Sequence, residues 1–252
     1  MNKVISSASN ENYKILNALS SSAGIKKHSC FLVMGQDIIR EALELGTLGS
    51  RILAEVRTEA HQPLRNAFPQ WILTPTLFKD LDVLGTKYNL LLVQEKQIPT
   101  FEPISKPLGL ELIVPLGDPN NLGSLARSAW AFGISKMILT SEAVHPFHPK
   151  VIKSSAGTIL KMNLVKASSL QTLGDFPFWA LDMKGQDLSQ VKFPKDLRLL
   201  VGEEGSGLGP LRASQAITQM IKIPIQGVES LNATVAASLA LYEYRRQLGS
   251  HR

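Results

Sequence analysis

The sequence predicts an α/β chain whose longer second part builds a mostly parallel sheet, preceded by a small α/β unit. Three observations predict this. From residue 108 onward, short apolar runs alternate with stretches of helical periodicity. Strands separated by helices favour a parallel sheet covered on both faces. Three of the strand-to-helix joints, at 118–127, 200–208 and 223–232, carry glycine and polar side chains at the turn. Between the two parts, residues 96–107 (KQIPTFEPISKP) hold three prolines and no periodicity. Proline restricts itself and its predecessor, so this stretch is predicted as an extended linker. The expected division is 1–95, a linker over 96–107, and 108–252.

In the first unit, Tyr13, Ile15, Leu16 and Leu19 form a helical stripe, and Phe31–Met34 is an apolar run ended by Gly35. Asp37 is predicted to cap a helix that carries Ile38, Ile39, Ala42, Leu43 and Leu45 and stops near Gly46. Residues 51–56 and 89–93 read as strands; Phe78, Leu81 and Leu84 lie on a short helix. In the second unit, 110–114 is a buried strand. Residues 121–133 form a helix, capped by Asn120 or Asn121, with Leu122, Leu125, Ala126, Ala129 and Phe132 on one face. Trp130 in that helix suits a core or an interface. Strands follow at 136–140, 178–181, 197–201 and 220–223, with helices near 150–154, 168–174, 209–216 and 232–247.

Composition narrows the function classes. Of 252 residues, 44% are hydrophobic, enough for a proper core and too many for a disordered chain. The formal net charge of +6 favours an anionic partner such as RNA. Lys136, Lys150, Lys153, Lys161 and Lys166 face only Glu142 within their window, as a phosphate track or a solvated face would. Cys30 is the single cysteine, so neither an intrachain disulfide nor a cysteine zinc site can form. Its apolar neighbours make it a buried, inert thiol. His145 and His148 lack a third ligand at metal spacing, and no metal is expected. No run approaches the ~18 apolar residues that span a bilayer, and a cytoplasmic location is expected.

The three joints carry the chemistry. In the first, Asp118-Pro119 makes a tight turn into a helix, and Gly123 permits close backbone approach. Asn121 and Arg127 are six residues apart, roughly 240° around the helix, so they do not share a face. In the second, the turn Gly202-Glu203-Glu204-Gly205-Ser206-Gly207 frees the backbone to approach a ligand and sets two carboxylates beside it. The glycine spacing is not that of a dinucleotide loop, and no Gly-Lys-Ser/Thr triplet exists. In the third, Pro224 and Gly227 shape a loop that delivers Ser230 and Asn232 to a helix start, with Thr234 close by. Ala233, Ala236, Ala237 and Ala240 then make a small-residue face. Helix starts offer free N–H groups to a ligand.

Taken together the segments resemble the SpoU/TrmH family of RNA ribose 2′-O-methyltransferases, within the SPOUT superfamily. Its first motif is matched by Asp118 through Gly133, its second by Val201 through Leu208, and its third by Ile223 through Ala236. Residues 148–157 also look like the family, and order and spacing agree across about 108–247. Residues 9–45 look like the ribosomal-protein-like substrate-binding domain that often precedes the catalytic one. Ala233-Thr234 stands where Val-Ser is commoner.

The resemblance implies a trefoil-knotted SPOUT domain, a homodimer, S-adenosylmethionine as methyl donor, and structured RNA as substrate, ribosomal RNA first and transfer RNA second. Carried over by position, Asn121, Arg127, Glu204, Ser230 and Asn232 would form the catalytic set. Leu181, Gly202, Ile223 and Leu231 would line the cofactor pocket, largely through backbone groups, with Leu181 at a strand end. Arg127 would serve as clamp and electrostatic stabiliser of the developing alkoxide, because guanidinium keeps its proton to a pKa above about 12. Two other readings compete. A noncatalytic RNA-binding protein on the same fold would be expected to lack Arg127 or Asn232, and both are present. A dinucleotide-dependent oxidoreductase needs a Gly-rich turn after the first strand, which Asp-Pro-Asn-Asn-Leu-Gly fits badly.

Overall fold

A computed structural model describes residues 2–134, 136–173, 176–202, 208, 211 and 214–249. The chain divides into two compact units. One contains the residues up to Gln97 together with His145–Lys161; the other contains Ile98–Val144 and the residues from Met162 onward.

The first unit is built on a five-stranded mixed sheet. Its strands are β1 (Lys3–Ile5), β2 (Cys30–Val33), β3 (Ile52–Arg57), β4 (Gln70–Leu73) and β5 (Leu90–Gln94), in the order β1-β4-β3-β5-β2. β4 is parallel to both neighbours and β5 antiparallel to both. With a strand on each side and helices against the sheet, Leu90–Val93 are buried throughout, which is why that run reads as continuously apolar. The helices are α1 (Glu11–Ala18), α2 (Ser22–His28), α3 (Gln36–Glu44) and α4 (Pro75–Leu81). Tyr13, Leu16 and Leu19 are buried at the predicted spacing. Asp37 does not cap α3. The N-cap is Gly35 at φ 101°, a conformation glycine takes without a Cβ penalty, so the helix starts before Asp37. Asp37 instead pairs with Arg40 at 2.8 Å on the surface. The sequence reading did not find β1, β4 or α2, which are too short for a periodicity to register.

After the seventh strand the chain joins this first unit for residues 145–161, which include α6 (Pro149–Ser154). Phe147 stacks on Phe31 with ring centroids 4.6 Å apart. The His145 Nδ1 accepts the Phe147 N–H at 3.3 Å, while Nε2 stands 3.3 Å from the buried Glu95 carboxylate. With Nδ1 accepting, the neutral ring carries its proton on Nε2. His148 is the N-cap of α6, its Nδ1 accepting the Lys150 N–H at 3.2 Å. Burial pushes the His148 imidazole below its ordinary value, and the Lys150 charge adds to that.

The folded state therefore prefers neutral His148, and the unfolded chain binds the proton more readily. Stability from this group is full above the unfolded value, about 6.5, and is lost as pH falls through the folded one. His148→Asn keeps a capping acceptor that does not titrate. It is expected to flatten the loss of melting temperature between neutral and mildly acidic pH while leaving the melting temperature near neutral pH little changed, because the cap is kept. An unchanged pH profile in scanning calorimetry would refute this role.

The second unit is a six-stranded sheet. Its strands are β6 (Leu110–Val114), β7 (Lys136–Leu139), β8 (Asn163–Lys166), β9 (Phe178–Asp187), β10 (Leu197–Leu200) and β11 (Ile217–Lys222). Every pairing is parallel, in the order β11-β9-β10-β6-β7-β8. The alternation of strand and helix thus produces the expected mostly parallel sheet. Ile113, Ile138, Ala180, Leu200 and Leu208 pack with Phe101, Phe176 and Phe178 in one core cluster. Two long helices follow strand ends here, α5 (Pro119–Ala131) and α7 (Ala233–Leu248).

Charge is built into the middle of this sheet. Arg198, Glu111 and Lys136 occupy matching register positions on β10, β6 and β7. Arg198 Nε donates to Glu111 at 3.0 Å, and Lys136 Nζ donates to the other carboxylate oxygen at 2.8 Å. Arg198 and Glu111 are 2% and 1% exposed, so this is a buried pair rather than a surface contact. The Arg198 guanidinium also lies over the Phe101 and Phe176 rings and donates to the Pro103 and Ser105 carbonyls. The proline-bearing stretch is therefore docked on the second unit. Thr100 bridges to Lys166, Phe101 is buried, and the chain turns where Ser105 N–H meets the Glu102 carbonyl.

Three expectations need correction here, and one falls mostly outside the described residues. The cap of α5 is Asp118, whose Oδ1 accepts the N–H groups of Asn120 and Asn121, both at 2.9 Å. Pro119 then opens the helix, where a missing N–H does no harm. The predicted helix at 168–174 is a single 3-10 turn, Leu170–Thr172, preceded by the unpredicted β8. The predicted helix at 209–216 falls largely outside the described residues. Leu181 is not at a strand end, because β9 runs on to Asp187.

Candidate active site

All three joints leave the same edge of the second unit's parallel sheet, the edge where the strands end. α5 follows β6, the glycine turn follows β10, and the 223–232 loop runs from β11 to α7. Ends of open parallel sheets are where such folds bind ligands, since helix N-termini and free backbone groups collect there.

The first and third joints are tied directly. Asn232 is the N-cap of α7, its Oδ1 accepting the N–H groups of Thr234 at 2.9 Å and Val235 at 3.3 Å. Its Nδ2 donates to the Asn121 Oδ1 at 3.0 Å. The Thr234 hydroxyl donates to the Asn121 backbone carbonyl, also at 3.0 Å. One asparagine thus orders a helix start with its oxygen and the facing asparagine with its nitrogen. The bond has only one sensible amide orientation, because both N–H groups of the cap demand the oxygen.

The pocket-lining candidates meet in part. β9 pairs with β11 at Ala180 and again at Gln186, with the register slipping between, so Leu181 lies at a break in the ladder. Gly185 lets the strand return, since a Cβ there would lie 2.5 Å from the Ile221 backbone nitrogen. Gly202 directly follows Val201 beyond β10, and a Cβ on it would stand 3.4 Å from the Leu181 carbonyl. Leu181 and Gly202 are therefore neighbours across two adjacent strands. Ile223 follows the end of β11 and Leu231 precedes the cap of α7; both are half-buried. Ser230 is exposed, two residues before Asn232.

Arg127 is not brought to Asn121 or Asn232 by any bond among the described residues. It lies on the exposed side of α5, three residues from the exposed Trp130 and hence on the same face. Glu204 and the rest of the 203–207 turn lie outside the described residues. Leu208, just beyond, is buried against Ile113 and Leu200. Asp118 and Thr234 were not among the predicted site residues. Asp before Pro at a helix start is a capping signal, but nothing local to Thr234 announces a partner more than a hundred positions away.

Comparison with known proteins decides the family. The SpoU rRNA Methylase family matches residues 112–242, which contain all three joints. The chain belongs to this family. It is 36% identical over 249 residues to the Ribosomal RNA small subunit methyltransferase G 2 of Syntrophobacter fumaroxidans, covering 96% of this chain and 49% of that protein. The chain thus spans about half the length of that curated relative. Among solved structures, the SpoU methyltransferase AviRb from Streptomyces viridochromogenes, in complex with the cofactor AdoMet, superposes with a TM-score of 0.81. That match has 24% identity and covers 96% of this chain and all of the other (100%). An RNA 2′-O ribose methyltransferase has a TM-score of 0.76 at 25% identity, covering 97% and 99% of the two chains. As a SpoU family member, the chain shares with these structures an α/β fold with a parallel sheet. No helix among the described residues is long and apolar enough to cross a membrane.

Proposed function

We propose that this SpoU family chain transfers a methyl group from S-adenosylmethionine to a ribose 2′-hydroxyl of structured RNA, ribosomal RNA before transfer RNA. The observation that carries the reading is the double tie between Asn121 and the start of α7, at 3.0 Å each; the adjacency of Leu181 and Gly202 supports it. The RNA 2′-O ribose methyltransferase at 25% identity supports the ribose as acceptor.

The residues present suit the cofactor. A Cβ at position 202 would only touch the Leu181 carbonyl, at 3.4 Å, so the glycine brings two backbone segments side by side with no side chain between them and a ligand. Leu181, Gly202, Ile223 and Leu231 would hold it, chiefly through main-chain groups. Bound there, S-adenosylmethionine supplies a methyl group already activated on a sulfonium. The chain must then orient the ribose and ease loss of the hydroxyl proton. Ser230 and Glu204 belong to the proposed set on the strength of their motif positions. Arg127 holds a phosphate or the developing alkoxide, an electrostatic task for a group that keeps its own proton. Alignment of oxygen and donor at attack distance supplies much of the remaining acceleration.

The proposal includes a homodimer. Val235, Leu239 and Tyr242 are 48%, 41% and 54% exposed at i, i+4, i+7 on α7. Trp130 on α5 is 44% exposed, and the Phe132 ring meets Tyr242 at 6.1 Å, which sets the two helices side by side. A second copy over this face would cover those apolar groups and draw Arg127 to the joint. The knotted path belongs to the same proposal, supported by β10 inserting between β6 and β9, both earlier in the chain.

The test is methyl transfer from labelled S-adenosylmethionine to ribosomal and transfer RNA, with the product nucleotide mapped. A 2′-deoxy nucleotide at the mapped position is expected to abolish labelling, and RNA binding to weaken steeply with salt. Label on a base, or RNA binding with no transfer, would overturn the reading. Sedimentation equilibrium is expected to give twice the 27.6 kDa chain mass, falling to one chain for Leu239→Glu; a wild-type monomer would sink the dimer.

A further inference from the structure

We propose that Thr234 is a positioning residue for methyl transfer, acting through the backbone of Asn121. The inference rests on the function proposed above and adds a residue to it.

Thr234 is 6% exposed and stands in the first turn of α7. Its hydroxyl donates to the Asn121 carbonyl at 3.0 Å, a carbonyl already inside α5. That oxygen has a second lone pair, so the bond does not serve to rescue a buried orphan. Its effect is geometric. The Asn232–Asn121 bond joins two side chains, and so acts on the main chain of α5 only indirectly. The Thr234 bond grips the main chain of the same residue from two positions beyond the Asn232 cap. Two bonds to different atoms of Asn121 fix both the distance and the twist between the α5 start and the α7 start. The Thr234 N–H is in turn held by the Asn232 Oδ1, so the three residues close a ring of bonds spanning both helix starts. Placement errors of about an ångström cost rate far out of proportion to the energy of a hydrogen bond.

Valine has nearly the shape of threonine and lacks the donor; serine keeps the donor and lacks the methyl. Thr234→Val is expected to lower single-turnover methyl transfer about tenfold, the rate equivalent of one lost positioning bond. KM for RNA and the affinity for S-adenosylmethionine should hold. Thr234→Ser is expected to restore most of the rate. In the same proteins, amide exchange over residues 118–123 should quicken in the valine variant alone. Wild-type turnover in the valine variant, or a serine variant as slow as valine, would overturn the proposal. If wild-type protein methylates no ribose at all, the functional reading falls. The exchange measurement then decides the lock separately: unchanged protection in the valine variant would show that no lock exists.

Discussion

Arg127→Ala is expected to cut methyl transfer by a factor on the order of 10² to 10³ while leaving S-adenosylmethionine binding unchanged. That is the usual size of losing one preorganised charge at a developing oxyanion. The two halves of the expectation have different sources. The binding half follows from placement. Of the cofactor candidates, Leu181 lies at the ladder break inside β9 and Gly202, Ile223 and Leu231 lie just past strand ends or in a loop, whereas Arg127 projects from the exposed side of α5 beside Trp130. The rate half follows from the proposed task, holding charge that exists only as the hydroxyl oxygen attacks. Arg127→Lys keeps the charge but loses the planar fork, and is expected to fall between wild type and alanine. Folding should be untouched, because among the described residues Arg127 makes no hydrogen bond or ion pair. Single-turnover kinetics and calorimetric titration separate the terms. Equal loss of binding and rate would place Arg127 in the cofactor site, and a near-normal rate would remove it from the chemistry.

Glu111→Ala is expected to destabilise the second unit by about 3–5 kcal/mol, the cost of leaving a buried partner charge unmatched. Arg198 would keep its carbonyl acceptors at Pro103 and Ser105 but lose the carboxylate at 3.0 Å, and Lys136 would lose its partner at 2.8 Å. The double replacement Glu111→Met with Arg198→Met removes both charges and fills the space with flexible apolar side chains. It is expected to recover much of the loss, since desolvating an ion pair can cost as much as the pair returns. Urea unfolding of the single and double variants measures this directly. A single variant within about 1 kcal/mol of wild type would mean that water reaches the pair and screens it.

Legibility in the sequence followed the range of the forces involved. The parallel sheet was readable because burial on both faces forces a continuous apolar run, as in Leu110–Val114 and Leu197–Leu200. α5 and α7 were readable because caps and 3.6-residue spacing are local signals. The caps themselves were misassigned where two polar residues compete. Asp118 takes the cap of α5, because Pro119 opens the helix and the Asp118 Oδ1 just before it reaches the N–H groups of both Asn120 and Asn121. Short elements such as β1 and β8 left no period to detect. Long-range pairings left none either. Glu111 looks like a surface residue until Arg198 is placed beside it, and nothing near Asn121 points to Thr234.

Local residue patterns were enough for the alternation of strands and helices, the three polar, glycine-bearing turns, and through them the family. Those properties depend on residues within a turn or two of one another. The tertiary structure alone decided which of those turns touch, where β9 breaks its ladder, that residues 145–161 pack with the first unit, and that the proline stretch is held by a buried arginine. Each is a contact between chain segments far apart in sequence. Such contacts form only once burial of apolar surface has brought the segments together, and no local pattern encodes them.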